Sequence, residues 1–231
     1  MSSTDGTIML TEVIAAPLLP ARAALWVADR LWSAIAARGA AHLAVSGGST
    51  PLAMFSALAA LPMPWSQVHV WQVDERVAPD GDKDRNAGQL LILRDAGAVI
   101  HQMDVTNVAL EAAAIAYANA LPTRCDVVHL GLGDDGHTAS WPPGNDVVHA
   151  AANVAVVGPF NGRMRLTLTP RVVNDARSVM FLVAGESKAA MLARLQAGDP
   201  TIPASVVRGA TILTDISSPS PVRVTTSSGK L

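Results

Sequence analysis

The sequence predicts an α/β protein: a three-layer, Rossmann-like arrangement in which a mostly parallel sheet is covered by helices on both faces. Three observations carry this expectation. Short β-branched runs alternate with alanine-rich amphipathic segments along the chain, as strand–helix crossovers require. The run "CDVVHLGLG" (Cys125–Gly133) is apolar almost throughout, the pattern of a strand whose sheet is covered on both faces. Glycines, hydroxyls and acids cluster where strands end, which is where an open parallel sheet forms its ligand crevice.

In chain order, "TIMLTEV" (Thr7–Val13) reads as a strand. Ala21–Gly39 reads as a helix with Leu25, Ala28, Trp32 and Ile35 on one face and Gly39 at its end. "AHLAVSG" (Ala41–Gly47) and "QVHVWQVD" (Gln67–Asp74) are further strands, separated by a helix at Pro51–Leu61 whose proline suits a first turn. Helices are expected at Asn86–Arg94 and Leu110–Asn119, followed by the apolar strand at 125–133. Strands at Val154–Val157, Arg165–Thr167 and Ser178–Val183, a helix at Ser187–Gln196 and a strand near Ala210–Thr214 complete the pattern. No internal repeat or linker is visible, so residues 1–215 are read as one domain. Residues 216–231, rich in Ser, Thr and Pro, are read as a mobile tail.

Composition narrows the function. With 231 residues, half of them hydrophobic, the chain can bury a substantial core. A formal charge of −2 with acids and bases interspersed excludes a general polyanion binder, so nucleic acid is not an expected partner. Any phosphate recognised belongs to a small ligand. The start lacks a basic segment followed by a long apolar one, and no run approaches the ~18 apolar residues of a membrane span. A soluble cytoplasmic protein without an export signal is expected, as a monomer or small homo-oligomer. Cys125 is the single cysteine, which excludes an intrachain disulfide and a multi-cysteine zinc site. It lies inside an apolar strand with no base beside it and reads as packing.

Four segments fall at predicted strand ends. In "VSGGSTP" (Val45–Pro51), Gly47 and Gly48 allow close backbone approach, and Ser49 and Thr50 offer hydroxyls at a helix start that favours an anion. The spacing is not that of a nucleotide P-loop, and a capped tight turn would read the same way. In "WQVDERVAPD", Arg76 can bind an oxyanion through its planar fork and Asp74 can bind a hydroxyl or carry a proton, unless the cluster is only a solvated turn. In "GLGDDGHTAS", Gly131, Gly133 and Gly136 let the chain turn and deliver Asp135 and His137 to the rim. Histidine titrates near neutrality and can take a proton from water when a carboxylate orients it. A metal held by Asp74, Asp134 and Asp135 is the weaker reading, because no H-E-x-x-H or Cys/His pattern accompanies them. Arg165 and Lys188 are surface cations or, with the Gly47–Gly48 turn, partners for a phosphate dianion.

"SGGSTP", "DERVAPDGDKDRN", "LGLGDDGHTAS", "RLTLTP" and "GESKAAML", in that order and across most of the chain, resemble the 6-phosphogluconolactonase family. The resemblance implies the three-layer α/β fold shared with glucosamine-6-phosphate deaminases. It maps the family's histidine to His137, its glycine turn to Gly47, Gly48 and Ser49, its asparagine to Asn86, and its phosphate-side cations to Arg165 and Lys188. Two departures stand out. Arg85 replaces a serine common before Asn86 and is expected to alter a ligand contact, and Trp141–Pro142 replaces a leucine–phenylalanine pair and is expected to reshape a loop.

The implied reaction is hydrolysis of a sugar-phosphate lactone, with His137 activating water, Asp135 or Asp74 orienting it, and Arg76 or backbone N–H groups meeting the oxyanion. No cofactor is expected: "GLGDDG" has the spacing of a dinucleotide turn but sets two acids where pyrophosphate has to bind. A glucosamine-6-phosphate deaminase is the alternative enzyme, but its glutamate five residues after the histidine is Pro142 here. A catalytically silent sugar-phosphate sensor is the non-enzymatic alternative. It would keep the phosphate cradle beside a DNA-binding or partner domain, for which this sequence as read leaves no room.

Overall fold

Hydrophobic periodicity resolves into two sheets in a computed structural model that describes residues 9–106 and 109–217. In chain order the elements begin with β1 (Leu10–Val13), α1 (Leu19–Arg38), β2 (Ala41–Val45), α2 (Ser49–Ala59), β3 (Val68–Gln72) and β4 (Asp74–Arg76). They continue with α3 (Leu91–Asp95), β5 (Val99–His101), α4 (Leu110–Ala120), β6 (Val127–Leu130), β7 (Val154–Phe160) and β8 (Arg163–Leu168). The last are α5 (Pro170–Asp175), β9 (Val179–Val183), α6 (Ala189–Gln196) and β10 (Thr211–Thr214). Seven strands form a parallel sheet in the order β1-β10-β9-β6-β2-β3-β5, and β4-β8-β7 form a separate antiparallel sheet. The α/β class and the parallel sheet are as expected. Thr7 and Ile8 of the first predicted strand and residues 218–231 of the predicted tail lie outside the described residues. Ile216, at the start of that stretch, is buried.

Alternate residues of the parallel strands feed two cores, as a pleat of period two demands. Leu43 and Val45 of β2, Met180 and Leu182 of β9 and Leu213 of β10 pack with α1 and α2 through Leu31 and Phe55. Ala44, Phe181 and Ile212 face the other way and pack with Tyr117 of α4 and the fully buried Trp141. Cys125 is buried there, its thiol pushed up to about 12, mainly by desolvation and then by Asp126 and Asp175.

Three expectations change. The buried side chains of α1 are Leu19, Ala23, Ala24, Trp26, Val27, Ala28, Leu31 and Ala34, so Ala28 is buried while Leu25 and Trp32, expected on its face, are exposed. Alanines make up half of that buried set, and small residues let the helix approach the sheet closely. The predicted strand through Asp74 is two strands, because the chain leaves one sheet for the other at Val73. Finally, the strands at 154–160 and 163–168 are not part of the parallel sheet. They form a hairpin turned at Asn161 and Gly162, with φ of 49° and 75°. An Asn-Gly pair at positive φ gives the twist that two-residue hairpins favour.

One buried group ties this core to pH. His129 of β6 is buried edge-on to Phe55, and neither ring nitrogen has a hydrogen-bond partner among the described residues. Burial pulls its imidazole from 6.5 down to about 3, so the folded chain holds it neutral. Below the ordinary value the unfolded chain takes up a proton that the folded chain refuses, and stability falls as pH drops through this window. His42 and His101, also lowered mainly by burial, act in the same sense. His129→Leu is therefore expected to reduce the slope of unfolding free energy against pH by about 1.4 kcal/mol per unit on the acid side. Denaturant titrations at pH 6, 5 and 4 measure that slope. An unchanged slope would show that His129 is not a neutral buried group.

Candidate active site

The strand order locates the crevice. From β2 the chain builds outward through β3 and β5, then returns with β6 on the other side of β2. The loops after β2 and β6 diverge at that reversal, and a cavity opens there of about 270 Å³, near the lower end of small-ligand sites. Ser46 to Pro51 line it from the β2 loop, Gly131 to Gly133 and His137 to Ala139 from the β6 loop, and Ala184 and Lys188 after β9. Asp74, Arg76, Asn86 and Arg165 line it from the side of the antiparallel sheet. Thus Asp74, His137 and all eight predicted binding residues share one cavity. Asp135 lies behind His137.

The glycine turn is specified by contact as well as conformation. Gly48 has φ of +131°, which side chains disfavour, and its N–H donates to Gln89 Oε1 at 2.9 Å. At Gly47 a Cβ would come within 2.1 Å of Asn86 Oδ1, so Asn86 occupies the space a side chain would need. Asn86 donates from Nδ2 to the Asp74 carbonyl at 2.9 Å and to Asp74 Oδ1 at 3.3 Å.

The cations come from facing strands. Arg76 of β4 is opposite Arg165 of β8, and Asp74 is opposite Thr167, which sets both arginines and Asp74 on one face of the small sheet. Like charges directly opposed are unfavourable unless an anion neutralises them. Asp74 does so in part, with Oδ2 3.8 Å from Arg165 Nη1. Asp74 also accepts from Ser140 Oγ at 2.6 Å. Desolvation pushes the Asp74 carboxyl up, opposed by the Ser140 hydrogen bond and by Arg76 and Arg165. Burial likewise lowers the Arg165 guanidinium, which stacks 4.8 Å over Phe160. Arg76 donates from Nη1 to the Asp84 carbonyl at 2.7 Å, leaving a buried Nε without a partner among the described residues.

The β6 loop folds tightly around its histidine. Gly133 N–H donates to the His137 carbonyl at 2.8 Å, and Thr138 Oγ1 donates to the Gly131 carbonyl at 2.8 Å. His137 Nδ1 is hydrogen-bonded to Asp135 Oδ1, its backbone N–H donates to the same oxygen at 3.1 Å, and its ring stands edge-on to Phe160 at 5.0 Å. Nε2 makes no hydrogen bond among the described residues. Burial alone would raise the Asp135 carboxyl, but the backbone and ring hydrogen bonds of His137 hold it below its usual range. Of the two aspartates weighed as the orienting group, only Asp135 touches the ring. Lys188 pairs with the exposed Asp134 at 2.6 Å. Among the described residues no group of three or more His, Cys, Asp or Glu side chains is arranged to hold a metal.

Arg85 needs a correction. It does not line the cavity: it is buried, donates from Nη1 to the Ala78 carbonyl and Asp80 Oδ1 at 3.0 Å each, and pairs with Glu75 at 3.1 Å. A side chain starting at position 85 points away from the cavity that its neighbour Asn86 enters. Trp141 is a core residue whose Nε1 donates to the Leu168 carbonyl at 2.8 Å. Sequence reasoning also missed Ser140, which bonds Asp74, and Phe160, which packs on both His137 and Arg165. Ser140 had a signal in its place beside His137. Phe160 had none, because only the hairpin turn carries it to the site.

Comparison with known proteins places the chain among relatives of one family. A family model described as "Glucosamine-6-phosphate isomerases/6-phosphogluconolactonase" matches residues 16–215. A 6-phosphogluconolactonase of Synechocystis sp. is 39% identical over 186 residues, covering 74% of this chain and 78% of that protein. One from Mesorhizobium japonicum is 40% identical over 176 residues, covering 70% and 74%. Among solved structures, a 6-phosphogluconolactonase from Shewanella baltica superposes with a TM-score of 0.83 at 27% identity, over 90% of this chain and 99% of that one.

The loop geometry can be tested without reference to any reaction. A Cβ at Gly133 would lie 2.0 Å from His137 Nδ1 and 2.8 Å from Asp135 Oδ1, so alanine cannot coexist with this ring position. Gly133→Ala is expected to fold and to lose the His137–Asp135 hydrogen bond, seen as a displaced imidazole resonance in NMR spectra. An unmoved ring would refute the packing described.

Proposed function

The chain belongs to the glucosamine-6-phosphate isomerase/6-phosphogluconolactonase family, and from that premise we propose that it hydrolyses 6-phospho-D-glucono-1,5-lactone to 6-phosphogluconate in the oxidative pentose phosphate pathway. The observation that carries the mechanism is His137: a ring held at Nδ1 by Asp135, with Nε2 making no hydrogen bond among the described residues, in the cavity that also contains Arg76, Arg165 and Lys188. The Gly47–Thr50 turn, Arg165 and Lys188 hold the phosphate, which fixes the lactone C1 near the imidazole. Nε2 takes a proton from water as its oxygen bonds to C1. Asp135 keeps the ring oriented and stabilises the imidazolium that forms. Arg76 meets the oxyanion. When the tetrahedral intermediate collapses, the bond from C1 to the ring oxygen breaks and the imidazolium proton passes to that oxygen, which leaves a hydroxyl and a carboxylic acid that then ionises by releasing a proton to solvent. Asp74, held by Ser140 and Asn86, receives a sugar hydroxyl. The step uses no metal or cofactor. The isomerase branch of the family is disfavoured because Pro142 has no group that could move a proton in ring opening.

Wild-type protein should accelerate lactone hydrolysis above the spontaneous rate, and His137→Asn should lower kcat by roughly a hundredfold or more while retaining product affinity. Near-normal turnover by a folded His137→Asn variant would remove His137 from the mechanism. Arg165→Ala and Lys188→Ala should weaken binding of 6-phosphogluconate more than that of gluconate, with non-additive losses if both meet one phosphate. Equal losses for both ligands would contradict the phosphate assignment. Turnover should survive exhaustive chelation. Loss on chelation with recovery on adding a divalent ion would replace the general-base route with a metal-assisted one.

A further inference from the structure

Between Asp74 and Arg76, whose side chains enter the cavity, Glu75 points the other way and is completely buried. Its carboxylate is saturated. Oε1 accepts the backbone N–H groups of Arg76 and Asn86, each at 2.8 Å. Oε2 accepts the Ala87 N–H and Gln72 Nε2, each at 2.8 Å, and Arg85 Nε stands 3.1 Å from it. Gln72 is itself fixed, taking the Met103 N–H at its side-chain oxygen at 2.6 Å. A charge so buried is costly unless paired, and Arg85 supplies the pairing.

We propose that Glu75, with Arg85 as its counter-ion, is a positioning residue for the reaction: it clamps residues 85–87 onto β4 and thereby aims the Asn86 side chain at Asp74 and over Gly47. Three contacts connect Glu75 to the site. Residues 85–87 meet the antiparallel sheet by the two N–H groups that end on Glu75. Asn86 then reaches both the Asp74 carbonyl and carboxylate. Its side chain also fills the space beside the Gly47 turn, so a shift of residues 85–87 moves the phosphate end and the Asp74 end of the site together. Arg85 thereby has a function in this chain that requires no contact with ligand. Buried polar networks of this kind act as a unit, and one missing partner leaves donors unsatisfied.

The inference rests on the lactonase reading for its assay, and the wild-type rate separates the two. A wild type without activity sinks that reading, whereas the positioning role is judged from ratios among variants and, independently of turnover, from 6-phosphogluconate affinity. Glu75→Gln keeps the shape but turns an amide N–H₂ toward two N–H donors, and should lower kcat/KM roughly ten- to hundredfold, mostly in kcat. The deciding measurement is the cycle with Asn86→Ala. If Glu75 acts through Asn86, the double variant should be no more than about threefold worse than Asn86→Ala alone, both in kcat/KM and in product affinity. Multiplying losses would overturn the proposal and leave Glu75 as general scaffolding. Should Glu75→Gln fail to fold, Arg85 carries the same test. Arg85→Met should lose activity about tenfold or more, Arg85→Lys should recover most of it, and the loss should again vanish in the Asn86→Ala background. A fully active Arg85→Met protein would refute the counter-ion role.

Discussion

The site depends on one crossing of the backbone. Val73 donates its N–H to the Val45 carbonyl of β2 at 2.9 Å and accepts the Leu168 N–H of β8 at 2.7 Å. A single residue thus belongs to the end of the parallel sheet and to the start of the antiparallel one. Leu168 extends the junction by accepting Trp141 Nε1, which pins the far end of the β6 loop to the same strand. The cations of β4 and β8 are thereby held over the mouths of the β2 and β6 loops. None of the three segments could build the site alone.

Charge is distributed to suit that arrangement. The chain is slightly acidic overall, at −2, yet among the described residues its cavity gathers Arg76, Arg165, Lys188 and a single lining carboxylate, Asp74. Three neighbouring acids stand outside it: Asp135 behind the histidine, Asp134 at the rim on Lys188, and Glu75 on the opposite face of β4. An anionic sugar phosphate can enter such a site and displace solvent from the cations.

Much of this was legible in one dimension. Strand and helix patterns are local, so the α/β class, the parallel strands at 41–45, 68–72, 127–130 and 179–183, and the helix ending at Gly39 could be read from periodicity and caps. The Asn161–Gly162 hairpin is equally local, but by pattern its flanking strands look no different from members of the main sheet. Which face of α1 is buried was not legible from hydrophobicity alone, since close packing favoured its alanines over Leu25 and Trp32.

The candidate site divides along the same line. By itself the sequence determined which groups are candidates for the site: the Gly47–Thr50 turn, Asp74 and Arg76, the Asp135–His137 pair, Arg165 and Lys188. It could do so because each group is a short motif beside a recognisable element. Only the tertiary structure decided which groups meet. Ser140 reaches Asp74 across 66 residues of chain, and Arg85 lies outside the cavity and neutralises Glu75. Such pairings arise where two sheets cross and their register brings distant residues opposite each other, and local periodicity contains no information about that register.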